Sequence, residues 1–461
     1  MPQRIVIIGA GGRGRDAYGR WAIEHPGEAI IVAVADIDDQ RRSALATAAG
    51  GAAEYADWRD AVGDLGRLDA DGVVIAVPDA LHVDVALAVA DAGVPFLLEK
   101  PAAPTLAELE RLAGHAGRVA ARLAIGHVLR FTPFWRTIKR VVDSGAIGQL
   151  ITIEVRENIG YWHFAHSYVR GNWRKTAASS PMVLAKTSHD LDLIRWIAGS
   201  APESLYSIGG LSWFRPEHAP PGAPEFCLDG CPAAETCPFF APRYYVDALA
   251  GVHGHPVHLL GSDTSVAGRL AALRTGDYGR CVFRSDNDVA DHQQTAIRFP
   301  GGLTATLTAS AFTAENTRNV AITGSAGQLT GHMETGQLVI DLFSPGASLP
   351  EGLPLAEHEV TAKPPMNHAR HRLRVAAPRE DLGDHAGHAG GDAGLMAEFV
   401  AALGRGTVGS GELSFSTALD SHLMAFAAEE SRLTGARVDF AEWVAGLGIA
   451  EGAPAGTGSA A

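Results

Sequence analysis

The sequence contains only four cysteines among 461 residues, too few for the disulfide framework of a small secreted domain. Basic residues are also in short supply, 38 against 52 acidic ones, and the formal net charge is −14. This balance argues against nucleic acid and against an anionic membrane as partners. The sequence has no apolar run of about 18 residues or more, so no membrane-spanning helix is predicted.

No leader is expected either, because strand-like residues begin at Arg4 and leave no room for a basic and then apolar segment. Together these absences favour a reducing cytoplasm. The composition itself is ordinary, with 46% hydrophobic and 20% charged residues, as in globular proteins. A chain of this length exceeds what one hydrophobic core usually supports, so two domains are expected.

The first part of the chain, residues 1–125, alternates apolar runs with helical patterns. This alternation predicts a doubly wound parallel sheet with right-handed connections, typical of an NAD(P)-binding Rossmann domain. The predicted strands are 4–8, 30–35, 72–77, 95–98 and 122–126, with helices near 13–24, 39–49, 82–92 and 105–117.

Beyond residue 148 the segments alternate in polarity or are rich in β-branched residues, which predicts a mainly antiparallel sheet with a hairpin turn at Gly301-Gly302. We expect a substrate and oligomerisation domain over 126–451, interrupted by an irregular insertion over 212–285. Residues 346–391 are expected to be loop-like, and 452–461 a disordered tail. The predicted strands are 150–157, 295–299, 303–310 and 320–324, with helices near 134–143, 188–198, 392–406 and 412–434.

A glycine-rich turn follows the first predicted strand and precedes a helix. In a dinucleotide-binding domain its first glycine allows the tight turn, its second lets the backbone approach the pyrophosphate, and its third permits strand–helix packing. The turn residues predicted to bind the cofactor are Gly9, Gly11, Gly12, Arg13 and Gly14.

The ends of later strands complete the predicted cofactor site, because ligands bind beyond the carboxyl ends of parallel strands. Asp36 ends the second strand, where a carboxylate binds ribose hydroxyls and favours NAD over NADP. Arg41 and Arg42 lie close enough to leave NADP open. The other residues placed around this crevice are Val77, Pro78, Glu99, Lys100 and His82, the last with a polar role in a helix turn as its alternative.

These residues, with Glu99-Lys100-Pro101 and the later His189, resemble the Gfo/Idh/MocA family, which includes glucose–fructose oxidoreductase and inositol dehydrogenase. The resemblance covers most of the chain. It implies a Rossmann domain followed by an α/β domain with a mainly antiparallel open sheet, whose exposed face makes the contacts of a homo-oligomer, a dimer or tetramer. It also implies oxidation or reduction of a sugar or polyol carbon with NAD(P). A minority of members use bound NAD in redox-neutral glycoside cleavage.

Lys100 and His189 are the main catalytic candidates. A desolvated lysine near a positive nicotinamide loses its proton more easily and can assist deprotonation of a substrate hydroxyl. A surface ion pair with Glu99 is the alternative. For His189, the resemblance implies a general acid or base poised near neutral pH, and a capping or core histidine is the alternative.

The sequence departs from the family just before His189. Many members carry an aspartate four residues earlier, where this chain has Ala185 followed by Lys186. The usual carboxylate partner of the histidine is therefore missing. Three outcomes stay open: Lys186 binds the substrate, Lys186 transfers the proton, or Asp190 orients His189 from the same side of the helix.

A stretch of aromatic and basic residues precedes this helix. The resemblance places it in the substrate pocket, and packing against the sheet is an equal alternative. The residues predicted to bind a carbohydrate-like substrate are Trp162, His163, Trp173, Arg174, Arg130, Lys186 and Asp190, with His127 as a weaker candidate.

The insertion carries all four cysteines. Four thiolates can form a tetrahedral zinc site or hold an iron–sulfur cluster, but these spacings match no standard zinc knuckle. Zinc is favoured over iron–sulfur, and reduced, partly buried thiols are the alternative. The candidate ligands are Cys227, Cys231, Cys237 and Cys281. Other polar residues there and just beyond are expected to be solvated or to form loop networks: His253, His255, His258, Asp288, Asp291 and His292.

The leading hypothesis is a cytoplasmic NAD-dependent oxidoreductase of a sugar, sugar acid or cyclitol, with Lys100 and His189 handling the proton. The second is a redox-neutral glycoside hydrolase or lyase with tightly bound NAD, which Ala185 keeps open. The third is a non-catalytic NAD sensor, disfavoured because both candidate catalytic residues are present. Net consumption of NAD separates the first two.

Overall fold

Two β-sheets organise the chain. The computed structural model describes residues 1–376 and 387–449. The strands of the first sheet are β1 Gln3–Ile8, β2 Ala29–Ala35, β3 Ala53–Tyr55, β4 Gly72–Ile75, β5 Phe96–Leu98 and β6 Leu123–Ile125. All its pairings are parallel and the order is β3-β2-β1-β4-β5-β6. The order reverses between β1 and β4, which opens a crevice at their carboxyl ends.

Helices cover both faces of this sheet, as a doubly wound parallel sheet requires. Successive residues of β1 show it: Val6 and Ile8 pack into one buried cluster, Ile5 and Ile7 into another. A helical turn over Gly12–Gly19 leads into the first helix. The helices are α1 Arg20–Glu24, α2 Asp39–Ala48, α3 Trp58–Gly63, α4 His82–Asp91, α5 Leu106–Ala113 and α6 Ala116–Val119.

The second sheet has ten strands and follows α7, Pro133–Asp143. Its strands are β7 Leu150–Gly160, β8 Ser204–Gly210, β9 His292–Arg298, β10 Thr304–Thr313, β11 Thr317–Gly324, β12 Gly327–His332, β13 Gln337–Leu342, β14 Leu355–Lys363, β15 His368–Val375 and β16 Val438–Asp439. Their order is β14-β15-β13-β12-β11-β7-β10-β9-β8-β16. The pairing of β7 with β10 is parallel, and the other strand pairs of this sheet are antiparallel within the described residues.

Helices cover one face of this sheet and leave much of the other exposed. Inward residues of the strands, such as Val155 and Leu307, share a buried cluster with Leu191 and Leu423 from the covering helices. On the opposite face Ile151 and Ile208 are exposed. The remaining helices are α8 Tyr161–Phe164, α9 Met182–Ala185, α10 Ser188–Ala198, α11 Val266–Thr275, α12 Gly391–Arg405, α13 Phe415–Thr434 and α14 Phe440–Gly446.

One late helix returns to the first sheet. Although α12 follows the second sheet in the chain, Leu395 and Phe399 pack in the cluster that contains Ile5 and Ile7. The start of α12 therefore stands beside the glycine turn. Within the described residues, no helix combines the length and apolar character needed to cross a membrane.

The predicted fold class is confirmed, with differences in detail. The expectation that 346–391 is loop-like was wrong, since β14 and β15 form an antiparallel pair there. The first of these strands is exposed along most of its length and so gives no apolar alternation. The short β3 was not predicted, and the insertion over 212–285 contains α11. The tail predicted over 452–461 lies outside the described residues.

Candidate active site

Two glycines that tolerate no side chain shape the turn after β1. Gly9 has a φ of +98°, and a Cβ there would lie 2.4 Å from the carbonyl oxygen of Ala76. A Cβ on Gly14 would lie 1.8 Å from the carbonyl oxygen of Gly9, whereas one on Gly11 would meet open space. The turn is therefore tight at Gly9 and Gly14, and its outer side at Gly11 is open for a bound group, as a pyrophosphate requires.

A cavity of about 320 Å³ opens beside this turn. It lies beyond the carboxyl ends of β1, β2 and β4, where the strand order reverses and dinucleotides bind in such sheets. The predicted cofactor residues on its wall are Gly9, Gly11, Gly12, Arg13, Asp36, Val77 and Pro78, accompanied by Ile8, Ile37, Arg41, Trp58 and Leu81.

Backbone amides fix the Asp36 carboxylate at the end of β2. Its Oδ2 accepts from the Ala10 N–H at 2.7 Å, and its Oδ1 accepts from the Asp38 N–H at 2.8 Å. Arg41 shares the cavity wall with Asp36, whereas Arg42 pairs with acidic residues of its own helix and of β3. The ribose end of the cavity thus presents one fixed carboxylate and one basic side chain.

Arg13 and Glu99 form part of a buried network rather than presenting free charges. The Arg13 guanidinium donates to Glu99 at 2.6 Å, to the Tyr18 hydroxyl at 2.9 Å and to Asp392 at 2.8 Å. The Tyr18 hydroxyl in turn donates to Glu99 at 2.5 Å. This network ties the glycine turn to the start of α12, and it engages the charges of both Arg13 and Glu99 within the protein.

His82 also holds the frame of the site. Its ring nitrogens lie 2.6 Å from the carbonyl oxygen of Pro101 and 3.0 Å from that of Val77. The imidazole therefore joins the segments that follow β4 and β5. This agrees with the structural alternative for His82 in the sequence analysis.

Lys100 reaches from the end of β5 to the second domain. Its Nζ donates to the carbonyl oxygen of Ala185 at 3.0 Å. Burial lowers the pKa of Lys100 despite the opposing effects of Glu99 and Asp79, and Lys186 lowers it further. A buried lysine whose hydrogen-bond partner is a neutral carbonyl gives up its proton more readily than an exposed lysine.

His189 lies in the first turn of α10 and is 4% exposed. Neither ring nitrogen has a hydrogen-bond partner among the described residues, and the rings of His127 and His388 lie 6.0 Å and 5.5 Å away. Burial lowers the pKa of His189 well below its ordinary value, with Lys100 adding to the effect. The pKa near neutral pH that was expected for His189 is thus not found. A neutral imidazole offers one hydrogen-bond donor and one acceptor.

Four charged residues form a buried charge cluster next to these two: Lys186, Glu157, Arg318 and Asp190. The Lys186 Nζ lies 3.1 Å from Glu157 Oε1. The Arg318 Nε lies 2.9 Å from Glu157 Oε2 and donates to Asp190 Oδ1 at 2.9 Å. Asp190 thus pairs with Arg318, and the expectation that it orients His189 is not met.

Glu157 and Arg318 were not predicted as site residues. The sequence held a signal for Glu157, because the inward positions of β7 include Ile153, Val155 and Ile159, and Glu157 occupies the same phase. A carboxylate at such a position needs a charged partner. The two carboxylates compete for Arg318, and burial raises the pKa of Asp190 to about 6, the Glu157 charge adding to the rise against the effect of Arg318.

The aromatic stretch after β7 forms one wall beside this cluster. Burial lowers the pKa of His163 well below its ordinary value, and Lys186 is the first charged neighbour that contributes. Trp173 stacks on Tyr168 with ring centroids 6.0 Å apart, and Trp162 packs on Tyr244 of the insertion at 5.6 Å. His163 therefore stands close to the charge cluster, while the two tryptophans pack within the wall.

Two predicted substrate residues are engaged elsewhere. Arg130 is 2% exposed and binds the Asp192 carboxylate through two nitrogens. Arg174 pairs with Asp286 at 2.8 Å and with Asp277 at 3.1 Å. Both guanidinium groups are therefore engaged by carboxylates of the protein.

All four cysteines of the insertion line one small cavity, and each is a free thiol. Arg170 from the aromatic wall shares it, with its Nη2 3.7 Å from Cys227 Sγ. Across the described ranges, no group of three or more His, Cys, Asp or Glu side chains is arranged to hold a metal ion. The nearby Asp291 accepts from the N–H groups of Ser212 and Trp213, a loop network as expected.

Two family models match the chain. One, described as "Oxidoreductase family, NAD-binding Rossmann fold", matches residues 3–127. The other, described as "GFO/IDH/MocA C-terminal domain", matches residues 135–221.

Curated relatives match over part of their length. Inositol 2-dehydrogenase 1 of Saccharopolyspora erythraea is 34% identical over 203 residues, 43% of this chain and 56% of that protein. The putative oxidoreductase YteT of Bacillus subtilis is 25% identical over 236 residues, 50% of this chain and 53% of that protein. The chain thus spans about half the length of the curated relatives it matches.

Solved structures match over nearly the whole chain. A levoglucosan dehydrogenase in complex with NADH and levoglucosan has a TM-score of 0.66 at 18% identity, covering 95% of this chain and 100% of that one. A myo-inositol 2-dehydrogenase from Lactobacillus plantarum has a TM-score of 0.59 at 16% identity, with coverage of 95% and 99%. At this identity the likeness establishes a shared fold.

Proposed function

This chain belongs to the Gfo/Idh/MocA family, and from that membership we propose that it is an NAD-dependent oxidoreductase acting on a hydroxyl-bearing carbon of a sugar, sugar acid or cyclitol. One observation carries the proposal. Lys100, which follows β5 of the sheet that forms the dinucleotide cavity, donates to the Ala185 carbonyl just before α10, and its charge helps to lower the pKa of His189, whose two ring nitrogens have no partner among the described residues.

The residues around the cavity fit NAD. The open side of Gly11 admits a pyrophosphate, and the N–H groups at the start of the helical turn Gly12–Gly19 are oriented to donate to it. The carboxylate of Asp36 suits the 2′- and 3′-hydroxyls of a ribose and repels a 2′-phosphate. The nicotinamide of a bound NAD accepts or donates the hydride of the reaction.

The side chains of this chain would manage the substrate oxygen. In the oxidative direction neutral Lys100 takes the hydroxyl proton, and the neutral imidazole of His189 donates a hydrogen bond to the same oxygen or accepts one from a neighbouring hydroxyl. In the reductive direction protonated Lys100 returns the proton. Lys186 supplies a further donor from the charge cluster.

The test is turnover with a substrate panel. The purified protein is incubated with NAD and polyols, sugars or sugar acids, and NADH formation is compared with product formation. Equimolar NADH and ketone or lactone supports the proposal. Cleaved glycoside without net NADH would instead identify the redox-neutral alternative, and tight NAD binding with no product from any compound would point to the sensor.

We also propose that the protein is a homo-oligomer assembled through the open face of the second sheet. The supporting observation is a set of exposed apolar side chains on three strands of this sheet, β7, β8 and β10: Ile151, Tyr206, Ile208 and Phe312. A second copy covering this face would remove them from water. Light scattering of the wild type should give a multiple of 48.3 kDa, and Ile208→Asp should lower it.

The zinc hypothesis for Cys227, Cys231, Cys237 and Cys281 also remains a proposal. The shared cavity supports it, although the thiols would have to turn inward, since within the described residues they form no coordination site as they stand. Elemental analysis should give about one zinc per chain. Four titratable thiols without metal would contradict zinc and would support the proposed reducing cytoplasm.

A further inference from the structure

The two lysines of the site differ in the group that each one faces. The Lys100 Nζ donates to a neutral carbonyl oxygen, that of Ala185, at 3.0 Å. The Lys186 Nζ lies 3.1 Å from the carboxylate of Glu157. In a desolvated setting a carboxylate stabilises an ammonium far more than a carbonyl does. The two lysines are therefore suited to different tasks.

The pairing of β7 with β11 places Glu157 next to a buried arginine. The side chain is 1% exposed on the inward face of β7, and the strand register sets Arg318 of β11 directly opposite it. Arg318 is also bound by Asp190 from α10. Glu157 Oε1 thus faces Lys186 while its Oε2 lies within ion-pair distance of Arg318, and both cations stabilise the buried carboxylate.

The other charged or titratable neighbours of Lys186 come from four elements. Lys100 follows β5, His163 lies on α8 and Arg318 on β11, and none of these favours a second positive charge. Asp190 on α10 is the remaining carboxylate, and its hydrogen bond is to Arg318. Glu157 is therefore the direct counter-ion of Lys186, whose side chain remains 19% exposed.

We propose that Glu157 is a positioning residue that holds Lys186 as a protonated hydrogen-bond donor to the substrate, so that proton transfer falls to Lys100. Glu157 would supply from β7 the carboxylate that position 185 lacks. During oxidation the O–H bond of the substrate breaks and its proton passes to the Lys100 amine, while the hydride leaves carbon for NAD and the carbonyl forms. Lys186 keeps its protons throughout. The inference rests on the proposed function for the identity of the step.

The first experiment needs no substrate. Wild type, Glu157→Gln and the matched control Glu154→Gln, an exposed position of the same strand, are acetylated with a trace of acetic anhydride at one mildly alkaline pH. Mass spectrometry then quantifies Lys100 and Lys186 relative to Lys363 on β14. Only a neutral amine reacts. Glu157→Gln should raise Lys186 acetylation about tenfold and change that of Lys100 less than about twofold, with no change in the control.

Unchanged Lys186 acetylation in a folded Glu157→Gln protein would overturn the proposal. NAD binding and the melting temperature report whether the variant is folded. If it is not, Glu157→Asp provides a milder comparison, because the shorter side chain draws the carboxylate away from Lys186 and should raise Lys186 acetylation by less than Glu157→Gln would. High Lys186 reactivity in the wild type would contradict the proposal without any variant.

The second experiment uses turnover. Glu157→Gln and Lys186→Met should each raise KM about tenfold with a smaller change in kcat, and the double variant should be no worse than Lys186→Met within about twofold, since both changes remove the same interaction. Glu157→Asp should restore part of the loss. Additive effects of Glu157→Gln and Lys186→Met would contradict the proposal. If Lys186→Met removed the rise of the rate with pH that deprotonation of Lys100 should cause, proton transfer would be assigned to Lys186 and not to Lys100. A wild type inactive on every polyol would count against the proposed function, and the acetylation result would still decide on Glu157.

Discussion

The two sides of the active-site cleft are built from different materials. On the cofactor side the backbone does most of the shaping: a glycine turn, the ends of β1, β2 and β4, and a carboxylate fixed by two amides. On the proposed substrate side the shape comes from side chains, with charges from β7, β11 and α10 paired in a cluster. A site shaped by the backbone should keep its shape when side chains are changed. A cluster of paired charges should lose its arrangement when one member is removed, because its partner is left as an unpaired buried charge.

Lys100 belongs to both sides, and its loss should have the largest effect. Lys100→Met should lower turnover about 10³-fold while NAD affinity stays within about threefold, because the lysine acts in the transition state and not in cofactor binding. The measurement pairs steady-state kinetics with an NAD titration. Lys139→Met, on α7, is the matched control. Near-normal turnover of the Lys100 variant would remove the proton-transfer role from this residue.

The next largest effect is expected at His189, where a variant can show whether the imidazole only hydrogen-bonds the substrate or also transfers the proton. His189→Ala should lower kcat/KM about 100-fold through lost hydrogen bonds to the substrate. It should leave the pH profile in place: oxidation requires neutral Lys100, so the rate rises with pH through the lowered pKa of that lysine. The imidazole is already neutral across this range.

Profiles of kcat/KM against pH for wild type and His189→Ala decide the point. Disappearance of the rising limb in the variant would restore His189 as the general base. A separate inflection near the pKa of Asp190, about 6, should vanish in Asp190→Asn and not in His189→Ala. The three groups can therefore be told apart by which variant removes which limb.

The same contrast explains what could be predicted from the sequence. The glycine turn and Asp36 are encoded within a short segment, since backbone geometry demands glycine at fixed positions. Lys100 was predicted from its place after a strand and from family resemblance, and His189 from its place near the start of a helix and from the same resemblance. Arg318 was beyond reach, because its contact with Glu157 depends on the register of β7 with β11, more than a hundred residues apart in the chain.

A pair of glycine variants tests the backbone-built side. Gly14→Ala should destabilise the protein by about 3 kcal/mol, because its Cβ would overlap the carbonyl oxygen of Gly9. Gly11→Ala meets open space, so it should keep the melting temperature and lose NAD affinity about tenfold by occupying the place of the pyrophosphate. Thermal unfolding and NAD titration measure both. Equal stability of the two variants would contradict the assignment of the turn.

The last prediction concerns the choice between NAD and NADP. It tests whether a single charged side chain matters on the cofactor side of the cleft, which is shaped mainly by the backbone. Asp36 and Arg41 share the cavity wall, and they favour opposite cofactors: the carboxylate repels a 2′-phosphate and the guanidinium attracts it. Two backbone amides hold Asp36 in place, whereas Arg41 is an exposed side chain that lies 3.7 Å from the carboxylate of Asp38. We therefore expect Asp36 to dominate and NAD to bind more tightly than NADP. Asp36→Asn keeps the size but only one of the two acceptor oxygens, so it should lower the preference for NAD about tenfold and reduce stability by about 1 kcal/mol through the lost backbone hydrogen bond. Arg41→Ala should weaken the binding of NADP alone.

Titrations of NAD and NADP against the wild type and both variants provide the measurement. The opposite result would be a wild type that binds NADP more tightly than NAD and loses that preference in Arg41→Ala. That result would contradict the prediction, because it would show that Arg41 outweighs Asp36 in the choice of cofactor.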